Sequence, residues 1–204
     1  LECIDENTSI VSMLNPNNPV GRPYTDEEFR LVAEKTKATG SLLIIDEAYH
    51  YFYEGTQMSL LKEYDHIIVT RTFSKLFSIA ACRIGYAVSS AKIVKMINNA
   101  RPTFDTNSIA LLFANELINN KELTQKLIAT ELEGREYLMA ELDKAGYEYV
   151  FQGGNYVTIK AKTDAETVAE RLLSEKKISI KTSGYDILKG YIRVTTGDVK
   201  YMKL

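Results

Sequence analysis

The chain has 204 residues, 45% of them hydrophobic, enough to bury one substantial core or two smaller ones, and disorder is not expected. Lys and Arg number 25 against 27 Asp and Glu, so nothing in the near-neutral balance points to nucleic acid or to an anionic membrane. Cys3 and Cys82 stand far apart without metal-ligand neighbours, which argues against a disulfide framework or a metal site and for a reducing, cytoplasmic setting.

Residues 8–14 form a β-rich apolar run, ended by the turn cluster Asn15-Pro16-Asn17-Asn18-Pro19. Thr25, with Glu28 three residues on, reads as a capping box that opens a helix stopping near Thr39-Gly40. Leu42-Leu43-Ile44-Ile45 before Asp46, and Ile67-Ile68-Val69 before Arg71, are continuous apolar runs of the kind found in strands buried on both faces. Strands alternating with helices make this half α/β with a mostly parallel sheet, whose ligands sit beyond the carboxyl ends of the strands. A further strand is expected at 83–88, a helix at 91–99 and one long helical region from 107 to 145. Strands at 147–151, 155–161, 178–182 and 191–196 surround a helix at 164–176 opened by Thr163, which suits a small α+β unit. No basic-then-apolar leader and no apolar run near the ~20 residues that span a bilayer is present, so no membrane is expected. The chain starts at Leu1 without Met, and 198–204 reads as the first turn of a helix that stops, so both ends are expected to lie within a longer protein.

Asp46 closes a buried strand and admits three readings. It resembles the magnesium-coordinating strand of a P-loop NTPase, but no Gly-x-x-x-x-Gly-Lys-Ser/Thr loop stands upstream. It is equally readable as a solvated strand terminus, or as part of a site with its neighbours. Lys75 lies in Arg71-Thr72-Phe73-Ser74-Lys75, with Arg83 eight residues later, and cations with hydroxyls suggest phosphate. A lysine in a cleft can lose its proton and bond to a carbonyl carbon, whereas an isolated lysine is usually plain surface. Thr72-x-x-Lys75 with Lys181-Thr182-Ser183-Gly184 is an incomplete match to penicillin-binding enzymes, because Ser-Asp-Asn is absent.

Taken together, Asn18, Asp46, Tyr49, Thr72, Ser74, Lys75 and Arg83 resemble in order and spacing the cofactor site of class I/II aminotransferases, pyridoxal-5'-phosphate (PLP) enzymes of fold type I. The histidinol-phosphate aminotransferase-like branch is the nearest in pattern. Its Asn-Pro-Asn-Asn-Pro-Thr-Gly segment is matched by residues 15–21, with Val20 in place of Thr; Asp46-Glu47-Ala48-Tyr49 and Thr72-Phe73-Ser74-Lys75 match directly.

The resemblance implies that Lys75 holds PLP and moves the proton at the substrate Cα, and that Asp46 pairs with the pyridine nitrogen. It implies that Asn18 and Tyr49 bond the ring's phenolic oxygen, and that Thr72, Ser74 and Arg83 hold the 5'-phosphate. Arg193, in Tyr191-Ile192-Arg193-Val194-Thr195, would grip the substrate α-carboxylate, although the residues alone read equally as a strand arginine in a salt bridge. Residues 1–120 would belong to the PLP-binding large domain, and 121–204 to a connecting helix and a small C-terminal domain. The activity implied is transamination between an amino acid or phosphorylated amine and a 2-oxo acid, in a cytoplasmic homodimer serving amino acid biosynthesis. A decarboxylase on the same scaffold is the alternative, as is a catalytically incompetent fragment or dimerisation module, since the match begins near the middle of family members.

Other conspicuous residues are expected to be structural. His50 takes a packing or turn role, His66 a strand-entry surface, and Cys82 that of a small buried filler where the family often has glycine. Tyrosines 49, 51 and 53 alternate as if on one strand face.

Overall fold

The computed structural model describes residues 1–204, which divide into two compact units, 1–124 and 125–204. In the first unit β1 (Ile10–Leu14), β2 (Leu42–Asp46), β3 (Ile67–Thr72) and β4 (Gly85–Ser89) form one sheet in that spatial order. The first three strands are parallel, and β4 runs antiparallel to β3. Parallel neighbours need a crossover, and α1 (Asp26–Thr39) supplies the one between β1 and β2. Both halves of the expected capping box are made: Thr25 Oγ1 accepts the Glu28 N–H, and the Glu28 carboxylate accepts the Thr25 N–H. Gly40 ends the helix at φ 73°, where a Cβ would be strained, and its N–H reaches back to the Lys37 carbonyl.

The core follows from strand alternation. Leu43 and Ile45 of β2 and Ile67 and Val69 of β3 are fully buried, packed with Phe29 and Ala33 of α1 and with Leu60 and Tyr64. At roughly 1.5–3 kcal/mol for each large apolar side chain fully buried, this cluster is the main attraction holding α1 to the sheet.

Downstream lie α2 (Ala91–Ala100) and α3 (Ser108–Asn119), opened by the side chains of Ser90 and Asn107. The single helical region expected from 107 to 145 is two helices. Asn120 leaves the helical region (φ −95°, ψ 81°), and its Oδ1 accepts the Leu123 N–H, so it caps the start of α4 (Lys121–Lys144). Asparagine favours such local bonds over a helix interior.

In the second unit β5 (Tyr149–Val150), β6 (Tyr156–Lys160), β7 (Lys181–Thr182) and β8 (Tyr191–Thr195) form an antiparallel sheet in the order β5-β6-β8-β7. Its core joins Leu142 of α4 to Val157, Ile159 and Ile192, with Ala165 of α5 (Ala165–Arg171). Asp164, one residue later than expected, caps α5 by accepting the Thr167 N–H. The last turn, Leu172–Lys176, widens to a π-helix that ends at Lys177 with φ 60°. A short α6 (Val199–Met202) follows β8. Gly134 is buried where α4 meets the chain after β8, and a Cβ there would collide with the Gly197 carbonyl. No helix is long and apolar enough to cross a membrane.

Two further expectations are corrected. Tyr49, Tyr51 and Tyr53 do not stripe a strand: residues His50–Phe52 form a 3-10 turn, and only Tyr49 of the three is buried. His66 is not surface, since its Nε2 lies 3.0 Å from Thr36 Oγ1 and its Nδ1 is buried. In both cases side-chain bonds that alternation cannot foresee set the local path.

Candidate active site

The three parallel strands of the first unit bring their carboxyl ends together, with Leu14, Asp46 and Thr70 in register. Beyond β1, buried Asn15 ties the turn to the sheet: its N–H donates to the Asp46 carbonyl (2.8 Å), and its Oδ1 accepts the Tyr24 N–H (3.1 Å). Gly21, at φ 90°, lets the turn close back so that its N–H meets the Asn17 carbonyl at 2.8 Å. The turn presents Asn18, whose Nδ2 donates to the Tyr49 hydroxyl at 3.1 Å. Lys75 Nζ stands 5.4 Å from the centre of the Tyr49 ring. Two residues from separate segments therefore meet at one tyrosine. Asp46, half-buried just before it, accepts the Ala48 N–H on Oδ1 (3.0 Å).

Beyond β3, Thr72 Oγ1 accepts the Ser74 N–H (3.0 Å), which fixes the turn that carries Lys75. The return to β4 pairs Thr72 with Gly85, and a Cβ at Gly85 would strike the Arg71 carbonyl, so the close approach requires glycine. Arg83 is exposed just ahead of β4, in the left-handed region at φ 51°, with Nη1 donating to the Ala80 carbonyl (3.2 Å). Cys82 is half-buried in the 3-10 turn Ala80–Cys82 before it.

Glu47 and Arg71 carry a bonded network that the motif reading passed over. The Glu47 carboxylate is inaccessible to solvent and bonds Arg71, Thr56 and the Gln57 backbone. A signal existed: Glu47 continues the inward phase of Leu43 and Ile45, and Arg71 that of Ile67 and Val69, so complementary charges extend two buried faces. His50, whose Nδ1 lies 3.3 Å from the Gly55 carbonyl, takes the turn role expected of it. Burial, then the Arg71 cation, push its pKa below the ordinary histidine value.

Arg193 belongs to the second unit. It is half-buried on β8 between Thr158 of β6 and Lys181 of β7, with its guanidinium carbon 4.6 Å from the centre of the Tyr156 ring. The end of that strand is anchored by Thr196, whose Oγ1 donates to Glu131 of α4 (2.7 Å); Arg135 pairs with the same carboxylate at 3.2 Å. Burial pushes Glu131 above the usual carboxylate range, opposed by the Thr196 bond and the Arg135 cation.

A mostly parallel sheet of this kind, with polar groups converging at its carboxyl ends, is that of an α/β protein, a class whose ligands sit beyond the strand ends. The chain belongs to the aminotransferase class I and II family, whose model it matches over residues 1–203. It is 34% identical over 202 residues to a histidinol-phosphate aminotransferase of Bacillus cytotoxicus, covering 97% of this chain and 54% of the relative. Among solved structures, the histidinol-phosphate aminotransferase of Sinorhizobium meliloti in complex with pyridoxal-5'-phosphate superposes with a TM-score of 0.86 at 24% identity, over 97% of this chain and 55% of the other. The aspartate aminotransferase of Thermus thermophilus with maleate gives 0.75 at 26% identity, over 95% and 54%. The chain thus spans about half the length of the curated relatives it matches.

Proposed function

We propose that this chain carries the cofactor-holding part of a PLP-dependent aminotransferase that moves an amino group between an amino acid or phosphorylated amine and a 2-oxo acid. One observation carries the reading: Asn18, Tyr49 and Lys75 converge beside Asp46 at the carboxyl ends of parallel strands. When bound, the protonated pyridine ring of the cofactor supplies a sink for the electrons of the bond broken at the substrate Cα.

The residues present fit that group. An amine, a hydrogen-bonded Asn–Tyr pair and a half-buried carboxylate are the donors and acceptors that a pyridine ring with a phenolic oxygen and an aldehyde requires. Lys75 would hold the cofactor through Nζ and, once freed, take and return the proton at the substrate Cα. Asp46 would keep the pyridine nitrogen protonated, and Asn18 and Tyr49 would bond the phenolic oxygen. Thr72 and Ser74 offer hydroxyls on the turn that carries Lys75, and Arg83 a planar fork suited to phosphate oxygens. Arg193 would grip the α-carboxylate of the amino donor.

Residues 1–120 would form part of the large cofactor domain, and 121–204 the connecting helix and small C-terminal domain; a unit boundary after Thr124 supports this. Histidinol phosphate is one candidate donor, on the strength of the named relatives. Free thiols at Cys3 and Cys82 support a cytoplasmic protein, and the exposed Ile109, Leu112 and Phe113 of α3 support a homodimer. The test is to incubate the chain with PLP, reduce with borohydride and map the label by peptide mass. Label on Lys75 is expected; label elsewhere, or none, overturns the assignment of this chain as cofactor-holding.

A further inference from the structure

Glu47 is a buried charge that the chemistry above does not use. Its side chain has no exposed surface, yet its carboxylate is fully engaged: Arg71 donates through Nε (2.9 Å) with Nη2 at ion-pair distance (2.8 Å), Thr56 donates through Oγ1 (3.0 Å) while itself accepting from Arg71 Nη2 (2.8 Å), and Gln57 donates through its backbone N–H (2.6 Å). A carboxylate taken out of water costs free energy unless it is paired and bonded in this way, so the group is held in one geometry.

The partners lie on the segments that carry the candidate site. Glu47 follows Asp46 at the end of β2, and its own N–H donates to the Thr70 carbonyl of β3 (2.9 Å). Arg71 precedes Thr72 at the start of the turn to Lys75. Thr56 and Gln57 close the loop that begins with Tyr49 and His50, and Gln57 Nε2 extends the network to Asp26 of α1 (3.0 Å). Side chains alternate across a strand, so Glu47 lies on the core side with Leu43 and Ile45 while Asp46 takes the opposite side. It acts on the site through its neighbours.

We propose that Glu47 is the positioning residue of this site: its bonds to Arg71, Thr56 and Gln57 lock the carboxyl ends of β2 and β3 and the intervening loop, and so hold Asp46, Tyr49 and the Thr72–Lys75 turn in register. As a role toward PLP the inference rests on the aminotransferase reading; as a statement about these segments it stands on geometry alone.

Glu47→Gln keeps the shape and one acceptor but removes the charge facing Arg71. Hydrogen exchange on the whole chain without cofactor should show residues 48–57 and 72–75 exchanging roughly tenfold faster, the equivalent of one charge-assisted hydrogen bond, while β2 residues 43–45 and α1 keep their rates. With PLP added, affinity should fall by about the same factor. The pH midpoint of the visible absorbance of cofactor held on Lys75 should move, which a general loss of stability would not cause. Thr56→Ala, which removes one neutral donor to the same carboxylate and the acceptor of Arg71 Nη2 but leaves the Glu47–Arg71 pair, should give a smaller change of the same pattern and serves if Glu47→Gln does not fold.

Uniformly faster exchange, or unchanged affinity and midpoint, overturns the proposal, as does a Thr56→Ala chain identical to wild type in every measure. If the wild-type chain takes no PLP, the reading of this chain as cofactor-holding fails, and the role toward cofactor with it, while the exchange pattern still decides whether Glu47 holds these segments. A wild-type chain that binds and a Glu47→Gln chain that binds equally well overturn this inference alone.

Discussion

Lys75 brings a primary amine to within 5.4 Å of the Tyr49 ring centre, the group a covalent anchor for an aldehyde requires. Lys75→Ala is expected to abolish the borohydride-fixed label while changing folding stability by no more than about 1 kcal/mol, because the side chain is only half-buried. Urea titration alongside the labelling reads both quantities, and a variant that still accepts label elsewhere in the cluster would remove Lys75 from its role. Asp46→Ala leaves the amine in place, so label on Lys75 should persist while turnover in the active protein falls roughly a hundredfold or more. At this scale Asp46, Tyr49 and Lys75 were legible because a motif reports side-chain chemistry at a fixed spacing. Glu47 was hidden inside the same motif: only the register of β2 against β3 shows that it is buried and meets Arg71.

At the scale of elements, α1 was readable at both ends because its caps are local. Thr25→Ala should lower stability by about 1 kcal/mol, the usual value of a side-chain cap, with Thr25→Ser restoring it in the same denaturation experiment. Gly134 makes the opposite case. In an exposed helix, glycine to alanine stabilises by about 1 kcal/mol; here the added methyl meets the Gly197 carbonyl, so Gly134→Ala should destabilise by roughly 1–3 kcal/mol. A rise in the urea midpoint of that variant would refute the close approach. The break at Asn120 escaped a periodicity reading because the apolar pattern continues across it, and the cap depends on one side-chain bond to Leu123. The tyrosines at 49, 51 and 53 mimic a strand in period, but the bonds of Thr56 and Gln57 to Glu47 draw that segment into a tight loop.

For the molecule as a whole, the proposed function would give the two units different duties. Arg193 lies in the second unit, so Arg193→Ala should leave the label on Lys75 intact and lower kcat/KM for the amino donor by about tenfold to a hundredfold, chiefly through KM. An unchanged kcat/KM would move the carboxylate grip elsewhere. The second unit should also answer to pH. Glu131 is raised by burial, so folding holds its proton more tightly than the open chain does. The stability it lends is complete below its ordinary value of 4.5 and is lost as pH climbs through the raised one. Glu131→Gln keeps an acceptor for Thr196 but does not titrate, so its urea midpoint should gain on the wild type as pH rises above 4.5; a flat difference would contradict the shift. By itself, the sequence determined the fold class, the order of strands and helices, and the residue types available for chemistry, because periodicity, caps and motif spacing act over a few neighbouring residues. Only the tertiary structure decided that Asn18 and Lys75 meet at Tyr49, and that Glu47 needs Arg71. Those contacts join segments that touch only once the parallel strands are in register, and register is set by the packing of the whole sheet.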